Sequence, residues 1–132
     1  MLFPPYEGDP AQLPALTLAY IGDGVYELFV RRRMLENEGI KAHNLHRQAI
    51  KRVNAQAQAN LLKKLKDELN EEEEAIARRG RNAKSGQIPK NANVGEYRLA
   101  TGLEALVGYL FLKGQWERIE ELLARIEEKE ED

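Results

Sequence analysis

The chain has 132 residues, enough for one compact domain spanning residues 1–132. Its 42% hydrophobic and 32% charged residues predict a buried core and exclude a wholly disordered chain. The absence of cysteine excludes disulfides, thiolate metal sites and cysteine nucleophiles. No apolar stretch approaches the roughly 18 to 20 residues of a membrane span, and no secretory leader opens the chain. We therefore expect a soluble, cytoplasmic protein without a membrane partner.

The net charge of −2 conceals a segregation of signs along the chain. Residues 31–66 hold ten bases and two acids, and residues 78–98 hold six bases and one acid. A polyanion could bind both blocks if folding brings them to one face. The alternative is that these side chains only cover solvated helix faces, and charge pattern alone does not separate the two interpretations.

The N-terminal segment is rich in proline. Four of the five prolines lie within the first fourteen residues. Proline lacks a backbone donor and interrupts regular elements. The sequence therefore predicts an extended N-terminal arm over residues 1–12.

Two patterns compete in residues 13–37. The run from Val25 to Val30 has the composition of a strand and follows a Gly-Asp-Gly triplet that is typical of a hairpin turn. Against this, Ile21, Val25 and Leu28 lie at helical spacing, and good helix formers follow them. We predict a helix over 13–37 and keep the hairpin as the alternative.

The rest of the chain predicts further helices and one long loop. Apolar residues at spacings of three and four predict one or two amphipathic helices in residues 44–69. Asn70 followed by four glutamates is typical of a capped helix start. The predicted elements are helix 44–69, helix 71–79, a basic loop over 80–95, helix 97–112 and helix 116–131. No strand is expected, so the predicted fold class is all-α.

Two carboxylates, Asp23 and Glu104, lie in otherwise apolar segments. No lysine or arginine lies within four residues of either one, so pairing along a helix cannot compensate their charge. If the two helices pack together, the carboxylates would repel each other unless a cation binds between them. Oxygen ligands alone favour a hard ion such as Mg²⁺. The alternative is a pair of separate surface carboxylates, and Glu27 is either a supporting acceptor or a solvated residue.

The second basic block suits contact with a phosphate backbone. Its cations lie in or beside a segment rich in Gly and Asn, which favours flexible contact with successive phosphates. A-form RNA is recognised through phosphates and 2′-hydroxyls, so such a loop could bind a duplex by its shape. The alternative is a loop that only aids solubility. The candidate RNA-binding residues are Arg78, Arg79, Arg81, Lys84, Lys90 and Arg98.

Several motifs together resemble a known family. Residues 18–28, LAYIGDGVYEL, resemble the signature helix of the ribonuclease III family, and residues 104–108, EALVG, look like its second acidic motif. Residues 78–85, RRGRNAKS, and the pair Tyr97-Arg98 match further positions in the same order. The resemblance covers nearly the whole chain. It indicates the Mini-ribonuclease III branch, a catalytic domain without a double-stranded-RNA-binding module.

The resemblance implies a homodimeric, all-helical endoribonuclease that cuts double-stranded RNA with Mg²⁺, for which Mn²⁺ can substitute. Asp23 and Glu104 would bind the metal and be the catalytic residues, supported by Glu27 and Thr101. Hydrolysis would leave 5′-phosphate and 3′-hydroxyl ends. The expected partner is precursor large-subunit (23S) ribosomal RNA, and no DNA partner is expected. Larger relatives have two further acids where this chain has Ala19 and Thr101, so the number of bound ions stays open.

A noncatalytic helical protein that binds RNA or the ribosome is the competing hypothesis. It would use the same basic blocks, with Asp23 and Glu104 serving only the structure. Metal dependence separates the two hypotheses, because a binder would form no cleavage product.

Overall fold

A computed structural model of the chain describes residues 3–38, 41–84 and 88–127. Within these ranges the chain is all helical, which confirms the predicted fold class, and none of the helices is long and apolar enough to cross a membrane. The helices are α1 (Ala15–Glu38), α2 (Ala42–Val53), α3 (Ala55–Leu65), α4 (Glu71–Asn82), α5 (Val94–Leu112) and α6 (Trp116–Leu123).

The long helix α1 excludes the hairpin alternative for residues 13–37. It runs without interruption through the glycine-containing segment. Its core face consists of Leu18, Tyr26, Val30 and Met34, which are all fully buried and lie four or eight residues apart. This spacing is that of one helical face. Burial of that face therefore outweighs the strand-like composition of the same segment.

Helix α5 forms the centre of the fold and packs against α1, α3 and α4. Every residue from 100 to 110 is buried except Glu104, which is partly buried. The backbones of α1 and α5 touch where glycines meet. A Cβ at Gly22 would lie 1.7 Å from the carbonyl oxygen of Glu104, and one at Gly108 would lie 2.0 Å from the carbonyl oxygen of Leu18. Only glycine permits this approach.

The predicted segment 44–69 forms two helices that meet at Asn54. The Asn54 side chain accepts a hydrogen bond from the Ala57 N–H at 2.8 Å and so caps α3. Its amide also donates to the carbonyl oxygen of Lys51 at 3.1 Å. One asparagine thus satisfies free backbone groups of two helix ends, which explains why the chain bends at this residue.

Helix α4 has the capped start that the sequence predicts, and Asn70 and Glu73 form a capping box there. The predicted boundaries of the basic loop over 80–95 are wrong. Helix α4 continues to Asn82, and α5 begins at Val94, which leaves residues 83–93 between them. Gly80 does not end the helix because it is a packing position, where an added Cβ would lie 2.8 Å from the Cα of Gly102 on α5. Residues 85–87 lie outside the described ranges.

Both ends of the chain depart from the predicted bounds. The extended arm predicted over residues 1–12 stops at Asp9, since Pro10–Gln12 form a 3-10 turn in which the Ala11 N–H donates to the Asp9 side chain. At the other end, the helix predicted over residues 116–131 ends at Leu123 and gives way to a 3-10 turn, Ala124–Glu127. Residues 1–2 and 128–132 lie outside the described ranges.

Candidate active site

The structure brings Asp23 and Glu104 together. Asp23 lies on the exposed side of α1, directly after the glycine that touches the Glu104 backbone. The two side chains are close enough to hydrogen bond with each other, which requires a shared proton. Burial, the hydrogen bond to Asp23 and the negative charge of Asp23 raise the pKa of Glu104 to about 8. A carboxyl group of this kind favours either a proton or a cation beside it.

Among the described residues, no base compensates this acidic pair. Within the described ranges, neither Asp23 nor Glu104 takes part in an ion pair. Glu27, one turn after Asp23, adds to the negative charge that raises the pKa of Glu104. The Glu27 carboxylate itself pairs with Arg31 at 3.3 Å. The site thus concentrates negative charge, and no cation from the described part of the chain pairs with Asp23 or Glu104.

Gln58 is a third polar side chain at the site, and the sequence analysis missed it. It is 4% exposed on α3 and lies near enough to Glu104 to lower the pKa of that carboxyl. Its Nε2 is buried and, among the described residues, makes no hydrogen bond of acceptable geometry. Its spacing in the sequence could have indicated a buried polar residue, since Gln58 shares the apolar face of α3 with Leu61, Leu62 and Leu65.

Thr101, predicted to support the ion, is 8% exposed, and its hydroxyl donates to the Tyr97 carbonyl oxygen at 3.0 Å. That hydrogen bond lies within α5, one turn away from Glu104. Ala19 is also buried and offers no ligand. In the part of the chain that the structure describes, no group of three or more acidic or histidine side chains could hold a metal ion.

The available ligands fit a hard divalent ion. Two neighbouring carboxyl groups, with no base paired to either one among the described residues, form a site that gains from a positive charge. Asp23 and Glu104 would hold the ion, because Mg²⁺ commonly binds one or two carboxylates and keeps several waters. An oxygen donor set without sulfur or imidazole favours Mg²⁺ or Mn²⁺ over zinc.

Cations from both basic blocks meet in one groove. Lys63 and Lys66 at the end of α3 line it together with Arg78 and Arg81 on α4, around a floor that includes Leu62. The groove has a volume of about 270 Å³. Arg78 lies on the helix predicted for it, whereas Arg81 lies on the same helix and not in the predicted loop, which corrects the setting of Arg81. Arg78 also pairs with Glu74 at 3.4 Å.

A second, smaller pocket collects Lys84 and Arg98. It has a volume of about 110 Å³ and is also lined by Tyr97 and Thr101. Because Thr101 lies three residues before Glu104 on α5, this pocket is about one helical turn from the acidic pair. Lys90 is exposed in the turn between α4 and α5 and lines neither cavity.

Arg79 has a structural role that the sequence analysis did not predict. Its Nη1 donates to the Ala11 carbonyl oxygen at 2.8 Å, and its Nη2 donates to the Leu13 carbonyl oxygen at 2.7 Å. These hydrogen bonds fasten the N-terminal turn to α4. We therefore leave Arg79 out of the RNA contacts proposed below.

Comparison with known proteins identifies the family. Residues 16–115 match the Ribonuclease III domain. The Mini-ribonuclease 3 of Symbiobacterium thermophilum is 52% identical over 115 residues, which are 87% of this chain and 88% of that protein. The Mini-ribonuclease 3 of Enterococcus faecalis is 48% identical over 117 residues, covering 87% of this chain and 89% of that protein.

The fold is similar to a solved structure as well. The crystal structure of a protein from Fusobacterium nucleatum superimposes with a TM-score of 0.81 at 32% sequence identity. The match covers 91% of this chain and 96% of that chain. The chain therefore belongs to the ribonuclease III family, in the branch that contains the Mini-ribonuclease 3 proteins, and is an endoribonuclease.

Proposed function

We propose that this endoribonuclease cuts both strands of duplex RNA in a Mg²⁺-dependent reaction, with Asp23 and Glu104 as the metal-binding, catalytic residues. One observation carries the proposal. The two carboxyl groups lie within hydrogen-bonding distance of each other, no base in residues 3–38, 41–84 and 88–127 pairs with either one, and the pKa of Glu104 is raised to about 8. Such a pair is unfavourable as a structural feature and favourable as a cation site. Mn²⁺, with similar oxygen preference, is expected to substitute.

The side chains of the site have two different roles, binding the ion and binding phosphates. A bound divalent ion would polarise the scissile phosphate and offset the charge that develops on its oxygens. Asp23 and Glu104 would hold the ion, and close packing of α1 on α5 fixes the two carboxylates relative to each other. Lys84 and Arg98 line the pocket that reaches Thr101, one turn before Glu104, and are suited to bind neighbouring phosphates and so orient the strand.

The proposed substrate is a duplex within precursor large-subunit ribosomal RNA, cut to 5′-phosphate and 3′-hydroxyl ends. The family resemblance supports this choice of RNA, and the groove formed by α3 and α4 supports a duplex. Four cations around one groove favour contact with the phosphate backbone rather than with base edges. End analysis of the products after incubation with such an RNA tests both points, and 3′-phosphate ends would contradict the proposed chemistry.

A homodimer is part of the proposal. The outward face of α1 exposes Leu16, Tyr20 and Leu28, and Tyr20 is 81% exposed. Beside it runs an open apolar groove of about 760 Å³, lined in part by Phe29 and Trp116. Contiguous apolar surface of this kind is uncommon on monomers and is typical of interfaces. Since Asp23 belongs to the same helix, two copies paired here would each present a site near the interface.

Replacing Asp23 by Asn is expected to abolish cleavage. We expect a loss of at least about 100-fold in the rate of cleavage of a long RNA duplex in Mg²⁺, because a direct ligand matters more than the outer groups that orient ligands. Without metal and above pH 8, where Glu104 is ionised, the same variant should unfold at a higher temperature than the wild type, because the charge that repels Glu104 is gone. Asp67→Asn, an identical chemical change at an exposed residue, is the control and should leave both values unchanged.

Continued cleavage by Asp23→Asn in Mg²⁺ would contradict the assignment. Duplex binding that is indifferent to EDTA, with no product from the wild type, would favour the competing noncatalytic RNA-binding protein.

The stability of the metal-free protein should fall as pH rises from about 5 to about 8. The folded-state pKa of Glu104 is about 8 and its ordinary value is 4.5. In this window the folded chain keeps a proton that the unfolded chain has released. Stability is thus lost by no more than about 1.4 kcal/mol per pH unit. Thermal unfolding in EDTA measures it, and Glu104→Gln should flatten the profile; an equal slope in that variant would refute the assignment.

Neutralising the groove should reduce the salt dependence of RNA binding. The double variant Arg78→Gln, Arg81→Gln, made in the Asp23→Asn background to prevent cleavage, should bind duplex RNA more weakly. Its slope of log affinity against log salt should shrink by about one for each phosphate that the protein no longer binds. Lys113→Gln, at the opposite end of α5 from Arg98, is the control. An unchanged slope in the double variant would remove the groove from the RNA contact surface.

A charge at Tyr20 should dissociate the proposed dimer. Tyr20→Arg would bury a cation in the proposed interface, whereas Tyr20→Phe would keep the apolar contact. Sedimentation velocity should give a dimer for the wild type and for Tyr20→Phe, and a monomer for Tyr20→Arg. A wild type that sediments as a monomer at micromolar concentration would contradict the dimer.

A further inference from the structure

Gln58 is a polar residue in an apolar place. It lies on the buried face of α3, one turn before Leu61 and Leu62, and is 4% exposed. Its backbone N–H donates to the Asn54 carbonyl oxygen at 3.1 Å, so its main chain is satisfied within the helix. The side-chain Nε2, in contrast, is buried and finds no hydrogen-bond partner in the described part of the chain.

An unpartnered buried amide lowers the stability of a protein, because its hydrogen bonds to water are lost and not replaced. An apolar side chain of the same size would fill the same volume without this loss. The fold alone therefore gives no reason for a glutamine at residue 58. The reason lies in the polar side chains beside the amide.

The polar side chains beside the amide are those of the acidic pair. The Gln58 side chain lies close enough to Glu104 to lower the pKa of its carboxyl group, and Asp23 on α1 lies close enough to raise that pKa. Three helices thus each contribute one polar side chain to the site: Asp23 from α1, Gln58 from α3 and Glu104 from α5. Two of these are carboxylates that can hold an ion, and the third is a neutral donor.

We propose that Gln58 is a positioning residue, whose Nε2 donates a hydrogen bond to the ionised Glu104 carboxylate when a divalent ion is bound. The proposal rests on the proposed function of the site. The amide fixes the orientation of the carboxylate and favours its charged form, because a donor stabilises an anion. In the structure without an ion, Nε2 lies beside the Glu104 carboxyl group but is not aligned for a hydrogen bond with it.

The test is a pair of apolar replacements, Gln58→Met and Gln58→Leu, with Gln56→Met as control on the exposed face of the same helix. Thermal unfolding is followed in EDTA and during titration with MgCl₂ alone, without RNA. In EDTA the two Gln58 variants should match or exceed the wild-type midpoint. The MgCl₂ concentration for half-maximal stabilisation should rise about 10-fold or more, as for other groups that orient metal ligands. Gln56→Met should match the wild type in both conditions.

Cleavage of duplex RNA gives a second readout. The Gln58 variants should cut more slowly at low Mg²⁺ and recover at high Mg²⁺, because the defect lies in binding the ion. Midpoints in EDTA below that of the wild type would instead assign Gln58 a purely structural role. A wild-type response to MgCl₂ in either variant would overturn the inference and leave the proposed function intact. A wild type that does not respond to MgCl₂ would overturn both.

Discussion

The contact between the backbones of α1 and α5 determines the geometry of the active site. Gly22 lies so close to the Glu104 carbonyl group that a single added methyl carbon would overlap it, and Gly108 meets Leu18 in the same way. Asp23 follows Gly22 directly, so the distance between the two helices also sets the distance between the two carboxylates. Side chains between the helices would separate them and leave each carboxylate solvated on its own.

This arrangement places two unfavourable features in one small volume. Asp23 and Glu104 repel each other when both are ionised, which raises the pKa of Glu104 to about 8. Beside them, Gln58 buries a donor without an acceptor. Each feature reduces stability in the metal-free chain, and a divalent ion relieves the repulsion. Stability lost at one place and regained on binding is characteristic of functional sites.

Local patterns in the sequence were sufficient to predict the helices and the two acids, because caps, apolar spacing and charges without nearby bases are local properties. The roles of Gly80, Arg79 and Gln58 depend on residues far along the chain. The predicted loop begins at Gly80, yet contact with α5 keeps this residue helical. The carbonyl partners of Arg79 lie 66 and 68 residues away, and the site beside Gln58 forms only when α3 packs on α5.

Helix α5 also links the carboxylates to the basic surfaces. It carries Glu104 at its centre and Arg98 near its start, and it packs against Gly80 between the cations of α4. Because the approach at Gly80 is as close as backbone and small side chains allow, α4 has little freedom to shift relative to α5. The backbone of Arg81 therefore keeps a fixed position relative to the acidic pair. A rigid spacing of cations and carboxylates suits a substrate with regular phosphate spacing, and an A-form duplex has that regularity whatever its sequence.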